Sequence, residues 1–153
     1  MSDRSEIALQ LAAAVAAAQA ALERSADRAF RMYGLSHRAH LVLSAVDQGG
    51  GDGARPKDMA EQLSISRAAV TTFVQRLEAK GLVETTPDSD DYRGVRVALT
   101  RRGLDVLLRV GQLERRLAAR AIEGLPASAI ARATSLMEDF RRRLDAKEIR
   151  VVP

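Results

Sequence analysis

Cysteine and tryptophan are absent from the 153 residues, and aromatic side chains make up only 3% of them. The lack of cysteine excludes a disulfide framework, thiolate catalysis, a thiol redox switch and any cysteine-built zinc site. So few aromatics leave no stacking platform for single-stranded nucleic acid. Long hydrophobic runs are also missing on inspection. None approaches the roughly 20 apolar residues of a membrane span, and the Ala-rich stretch Leu11–Leu22 reads as short and weakly apolar. The N-terminus has Asp3 and Glu6 beside Arg4 and lacks the basic start and cleavage site of a signal peptide. The expectation is a cytoplasmic protein with no membrane partner.

What is present is alanine, 27 residues of it. Alanine has the best helix propensity, so a mostly helical fold is expected. The length suits one domain with helical additions, burying roughly 68–70% of the unfolded surface. The net charge of +4 and pI near 10.1 permit an anionic partner without demanding one.

Helical spacing of Ile7, Leu11, Val15, Ala18, Leu22 and Ala29 predicts one long helix from about Ser5 to Met32, stopped by Gly34. A second helix is expected over Ser36–Gln48. Gly49–Gly53 reads as a flexible loop, and not as a phosphate-binding loop, because no Gly-Lys-Ser/Thr follows. Pro56 suits the first turn of a third helix, Pro56–Leu63. Ser66 then serves as N-cap of a fourth, Arg67–Lys80, which Gly81 ends. The period changes at Leu82–Thr86 and Val95–Leu99, which read as the two strands of a hairpin around a polar turn. Thr100 caps a fifth helix to about Glu123. Gly124-Leu125-Pro126 breaks it, and a sixth runs to about Lys147. A 28-residue first helix is about 42 Å long, with an apolar stripe that a small domain cannot cover alone. A second copy of the chain is the favoured cover.

Two short helices separated by a tight turn have the spacing of a helix-turn-helix, whose second helix enters the major groove. Val70, Phe73, Val74 and Leu77 form its buried side. Arg67, Ala68, Thr71, Thr72, Gln75 and Arg76 remain outside, small or hydrogen-bonding, with two cations and no acid. Arg67 suits guanine, Gln75 adenine, and either threonine a phosphate or a thymine methyl. Between Arg55 and Arg102, nine Lys/Arg stand against seven Asp/Glu, so placement rather than total charge carries this reading. The hairpin makes the whole a winged helix.

The run Met59–Val83, with its Ser66-Arg67-Ala68-Ala69-Val70 start and Leu77-Glu78-Ala79-Lys80-Gly81-Leu82-Val83 end, resembles the core of the MarR family of bacterial winged-helix transcriptional regulators. Asp91-Tyr92-Arg93 followed by Leu99-Thr100 resembles the family's wing signature and the opening of its next helix. The resemblance implies a mostly α fold with one β-hairpin, in which a winged helix-turn-helix (residues 35–100) is flanked by long N- and C-terminal dimerisation helices (residues 1–34 and 101–153). It implies a homodimer on double-stranded DNA at a pseudo-palindromic operator, most often as a repressor, released by a small, often aromatic or phenolic, effector. Carried onto this sequence, the DNA-facing residues are Ser66, Arg67, Ala68, Thr71, Thr72, Gln75 and Arg76 of the recognition helix. In the wing they are Arg93, Asp91 as its orienting partner, and Arg96. Tyr33, His37, Arg38 and His40, where the first helix ends, are the effector-pocket candidates.

His37 and His40 stand at i and i+3, and would hold a metal only if a carboxylate or third histidine joined them. No acid precedes Asp47 on that helix, so no metal or cofactor is assigned. Asp88, Asp90 and Asp91 lack the glycine and distal glutamate of a calcium loop. Arg141-Arg142-Arg143, among Asp139, Asp145 and Glu148, reads as a solvated helix face. No nucleophile or acid–base constellation supports an enzyme. Two alternatives stay open: a DNA-binding regulator without an effector, and a helical protein–protein adaptor that reuses a winged helix.

Overall fold

The computed structural model describes residues 2–91 and 94–146. Helix α1, Ser2–Phe30, passes through a short 3-10 turn, Arg31–Tyr33, to Gly34. Then follow α2 (His37–Gln48), α3 (Pro56–Leu63), α4 (Arg67–Ala79), β1 (Val83–Pro87), β2 (Val95–Leu99), α5 (Arg101–Ala121) and α6 (Ala127–Asp145). The mostly helical fold with a single hairpin agrees with the expectation, and every boundary falls within a few residues of it. Ser36 proves to be the N-cap of α2, accepting from the Ala39 N–H at 3.1 Å, and Ser66 caps α4 in the same way through Ala69. By compactness the chain divides into two units, Met1–Leu117 and Ala118–Pro153.

The core of the first unit is built where α1, α2, α3, α4 and the hairpin meet. Phe30, Leu43, Met59, Val70, Leu77 and Val97 are its largest members, each at most 1% exposed. The strands are antiparallel, with Val83 opposite Leu99 and Thr85 opposite Val97. Pro87 ends β1, an edge strand, where its missing N–H costs no ladder bond.

The Gly49–Gly53 segment is the first correction. Residues Gly50–Asp52 form a 3-10 turn, and Ala54 returns to pair with β2 on its free side. The Ala54 N–H donates to Val97 O at 2.8 Å, and Val97 N–H donates back at 2.9 Å. Gly53 holds φ at +76°, and a Cβ there would stand 2.8 Å from Val97 O. Gly49 and Gly53 thus permit a close backbone approach, and the hairpin gains a third pairing partner.

Thr100 opens α5 as expected. Its hydroxyl accepts from Gly103 N–H at 3.0 Å and donates to Gly81 O at 2.7 Å. Gly103 was not foreseen as a packing residue. A Cβ on it would lie 1.9 Å from Leu82 O, so the first turn of α5 rests directly on the backbone that joins α4 to β1.

Helix α1 brings a second correction. From Arg4 to Tyr33 it is long and apolar enough, with a mean hydropathy of 1.4, to cross a membrane by length and composition. Inspection of the run missed this because its apolar content is chiefly alanine, interrupted by Gln10 and Gln19. The C-terminal end of the helix seats Ala26 and Phe30 in the protein's own core, at 2% and 0% exposed. In the second unit, α6 buries none of its residues. Arg141 pairs with Asp145, and Arg142 with Asp139.

Candidate nucleic-acid interface

Helix α4 sorts its residues as the periodicity requires. Val70, Val74 and Leu77 are buried, and Phe73 is half-buried. Arg67, Ala68, Thr71, Thr72, Gln75 and Arg76 are all exposed, as is the cap Ser66. Among the described residues, no hydrogen bond or ion pair engages the side chains of Arg67, Gln75 or Arg76. Both threonine hydroxyls are engaged: Thr71 donates to Arg67 O and Thr72 to Ala68 O, each at 3.0 Å.

The nearest acid on the helix is turned aside. Glu78 accepts from the Thr85 hydroxyl at 2.7 Å and from the Thr85 N–H at 3.2 Å. This bond ties the end of α4 to β1 and keeps a carboxylate away from the outer face. The result is a helix face that carries two cations and no acid or bulky side chain of its own, in the arrangement a phosphate-lined groove accepts.

The wing base is built differently. Asp88 follows β1, with its side chain only 1% exposed. Its Oδ2 accepts from Arg55 Nε at 2.6 Å, and its Oδ1 accepts from Arg96 Nε at 3.1 Å. The same Oδ1 accepts the Asp90 N–H at 3.0 Å. Asp90 closes the ring, receiving Arg55 at 2.8 Å and Arg96 at 2.9 Å. Arg55, the Asp90 N–H and Arg96 hold the Asp88 carboxyl well below the usual carboxylate range, and Asp88 in turn raises Arg55. Arg55 is the N-cap position of α3. The network therefore fastens the wing base to the helix-turn-helix. A groove of about 620 Å³ lies beside it, with Arg55, Lys57, Arg67, Thr71, Asp90 and Asp91 among its lining residues.

Arg96, expected as a wing contact, donates from Nε to Asp88 and from Nη2 to Asp90. Arg93 lies outside the described residues. Asp91 is exposed at the wing, and Gly94 N–H donates to its carbonyl at 2.8 Å. Neither Arg55 nor Asp88 was singled out from the sequence as a structural anchor. The signal available was an arginine immediately before the helix-opening Pro56, and an aspartate at the point where β-alternation ends.

The four effector-pocket candidates do not converge on one point. His37 and His40 are buried on α2, both turned toward Glu114 of α5, with Nε2 to carboxylate distances of 3.9 and 3.1 Å. A carboxylate only accepts, so the His40 Nε2 carries the proton of that bond. The Nδ1 atoms of both rings are buried without a partner among the described residues. Phe30 meets the His40 ring edge-on at 5.2 Å. Arg38 instead pairs with Glu23 of α1 at 3.3 Å, beside a cavity of about 270 Å³ whose lining includes Gln19, Leu41, Leu63 and Ile65. Tyr33 is half-buried against the core. Glu114 is the carboxylate that α2 itself lacks. It lies 74 residues beyond His40, out of reach of any local pattern. Among the described residues, no group of three or more His, Cys, Asp or Glu is arranged to hold a metal.

With this geometry in place, comparisons with known proteins are specific. The family model described as MarR family matches residues 33–94. The HTH-type transcriptional regulator PecS of Dickeya dadantii is 30% identical over 90 residues, which are 58% of this chain and 54% of that protein. The chain spans about half the length of the curated relatives it matches. Among solved structures, a cysteine-to-serine mutant of E. coli MarR complexed with operator DNA has a TM-score of 0.79. It is 23% identical and covers 86% of this chain and 93% of its own. The organohalide-sensing regulator RdhR in its 2,4-dichlorophenol bound form has a TM-score of 0.82 at 19% identity. It covers 96% of this chain and 88% of its own. The two structures establish the fold, and residues 33–94 of this chain are similar to the MarR family.

Proposed function

We propose that this chain is a sequence-specific DNA-binding transcriptional regulator, a repressor acting as a homodimer on a pseudo-palindromic operator in the cytoplasm. The observation that carries the reading is the outer face of α4, where Arg67, Gln75 and Arg76 are exposed, unengaged among the described residues and share the face with no acid of α4 itself. A protein–protein adaptor has no need of a face so cleared. The E. coli MarR mutant complexed with operator DNA shares the fold, which supports the same use of α4 here. In this reading Ser66, Arg67, Ala68, Thr71, Thr72, Gln75 and Arg76 face the major groove. Arg93 of the wing, with Asp91 beside it, meets the flanking minor groove. Arg96 supports the wing from behind, with its Nε on Asp88 and its Nη2 on Asp90.

Residues 1–34 and 101–153 are assigned to dimerisation and 35–100 to DNA. Support comes from the apolar side chains left in solvent: Ile7 and Leu9 on α1, 56% and 67% exposed, and Leu136 and Leu144 on α6, 54% and 57% exposed. The small aromatic effector is supported by the dichlorophenol in the RdhR neighbour, with Tyr33, His37, Arg38 and His40 as the residues to vary.

The test is selection of genomic fragments by the purified full chain, followed by titration of the selected duplex at several salt concentrations. Binding that falls steeply with salt, and prefers the selected site over random duplex, is expected. Equal, salt-insensitive retention of both duplexes would overturn the reading. Light scattering on the same sample tests the dimer, and a phenol panel added to the titration tests the effector.

A further inference from the structure

The threonine pair on α4 carries an inference that deepens the DNA-binding reading and rests on it. A threonine hydroxyl has one proton to give. Thr71 gives its proton to Arg67 O and Thr72 gives its own to Ala68 O, both at 3.0 Å. A hydroxyl fixed on the carbonyl of the preceding turn lies against its own helix backbone, and its rotamer is set by that bond. The donor most useful for a phosphate or a base is thereby spent inside the helix. What each threonine offers to an approaching surface is its γ-methyl and, in place of a donor, only an acceptor oxygen.

These methyls are not isolated. Ala68, Thr71, Thr72 and Gln75 follow the spacing i, i+3, i+4, i+7, which is one stripe along a helix. All four are exposed. The stripe therefore presents three methyl groups in succession, then one amide, with Arg67 and Arg76 at its two ends. Every hydrogen-bonding feature of a major groove would be poorly served by the three methyls. One feature of the groove is apolar: the 5-methyl group of thymine.

We propose that Ala68, Thr71 and Thr72 form a methyl patch that reads thymine 5-methyl groups. Each operator half-site accordingly carries one or more thymines under the first two turns of α4. Thr71 and Thr72 are then specificity-determining through their carbon atoms, and Gln75 supplies the adjacent hydrogen-bonded base contact.

The probe is the operator recovered by fragment selection, resynthesised with single thymines replaced by deoxyuridine, a change that removes only the methyl. With the parent protein, replacement at one or two positions per half-site should weaken binding about fourfold, the worth of one methyl-sized apolar group. Replacement in both half-sites should multiply the losses to about 15-fold. Thr72→Val keeps the methyl and drops the hydroxyl. It should bind within about twofold of the parent and keep its sensitivity to deoxyuridine. Thr72→Ser keeps the hydroxyl and drops the methyl. It should bind about fourfold more weakly and lose that sensitivity. Thr71→Val and Thr71→Ser form the parallel pair. Both side chains are exposed, and matched melting temperatures check that each of the four variants folds.

Deoxyuridine replacement without effect at every position would overturn the proposal, as would serine variants that bind well while the valine variants fail. A chain that recovers no preferred duplex at all fails the earlier reading of DNA binding. A chain that binds its selected operator but ignores the methyl leaves that reading standing and removes this one.

Discussion

The wing base and the outer face of α4 draw on the same residue types and treat them in opposite ways. At the wing base two arginines and two aspartates close on one another, and the central carboxylate is withdrawn from solvent. On α4 two arginines and a glutamine stand in solvent with no partner among the described residues. A buried charge must be paired and hydrogen-bonded to be tolerated, so the first set serves architecture. An exposed cation left unpaired costs the fold nothing and keeps its field for a ligand. An arginine's role is thus read from what it already touches. By that measure Arg55 and Arg96 hold the frame, whereas Arg67 and Arg76 are available.

The comparison breaks most completely at the joint between the two regions. Gly103 stands against Leu82, where α4 passes into β1. Gly103→Ala would force a Cβ into a backbone oxygen that the hairpin and the Thr100 cap hold in place. The expected loss is about 3 kcal/mol or more, seen as a large drop in Tm or failure to fold. A parent-like Tm would show that α5 slides freely over this joint.

Next in size is the wing base. The folded-state carboxyl of Asp88 lies below its ordinary value because Arg55, the Asp90 N–H and Arg96 favour the charged form. Its contribution to stability is therefore complete above the ordinary aspartate value of about 3.9 and is lost as pH falls through the lower folded value. Asp88→Asn should lower Tm at neutral pH. The gap between parent and variant should stay constant above pH about 4 and narrow on further acidification. A gap independent of pH down to about 2 would mean that the network contributes through shape alone.

These two regions were unequally legible in the sequence. The α4 face follows from periodicity, since Val70, Val74 and Leu77 mark the buried side and the rest is determined by rotation. The helix caps Ser66 and Thr100 were similarly visible, because capping is local chemistry. The Arg55–Asp88–Arg96–Asp90 ring was not, as it joins residues up to 35 positions apart, and pairing across a fold leaves no periodic trace. Glu114 beside His40 escaped for the same reason. Gly49–Gly53 was misjudged in kind: glycine signals either freedom or close approach, and only the neighbouring Val97 backbone decides between them. Gly103 carried no signal of its own, because only the Leu82 backbone against it shows why a side chain is excluded there.

A third experiment sharpens the contrast by exchanging the readouts. Arg67→Ala should leave Tm unchanged and weaken DNA binding, lowering the salt slope by about one ion per subunit. Gln75→Ala should relax preference at one base pair per half-site, at about 1–3 kcal/mol against the specific sequence only. Arg96→Ala should do the reverse, lowering Tm and affecting DNA only in proportion to the disorder it brings to the wing. If Arg96→Ala changed the salt slope at constant Tm, the guanidinium would be a phosphate contact after all.

The smallest effect tests both roles within one residue. Ser66 caps α4 with its hydroxyl oxygen, satisfying an N–H that would otherwise lack a partner, and it stands at the edge of the exposed face. Ser66→Ala removes the acceptor and should cost about 1 kcal/mol of stability. Ser66→Asp keeps an acceptor at the cap and adds negative charge where the helix dipole welcomes it, so its stability should match or slightly exceed the parent's. The same charge lies beside Arg67 and would meet the phosphates of a bound duplex. Binding should therefore fall further for the aspartate variant than for the alanine variant, although the aspartate variant is the more stable protein. Paired denaturant melts and duplex titrations give both orderings. If the two orderings ran parallel, with binding simply following stability, the exposed face of α4 would have no function separate from the fold.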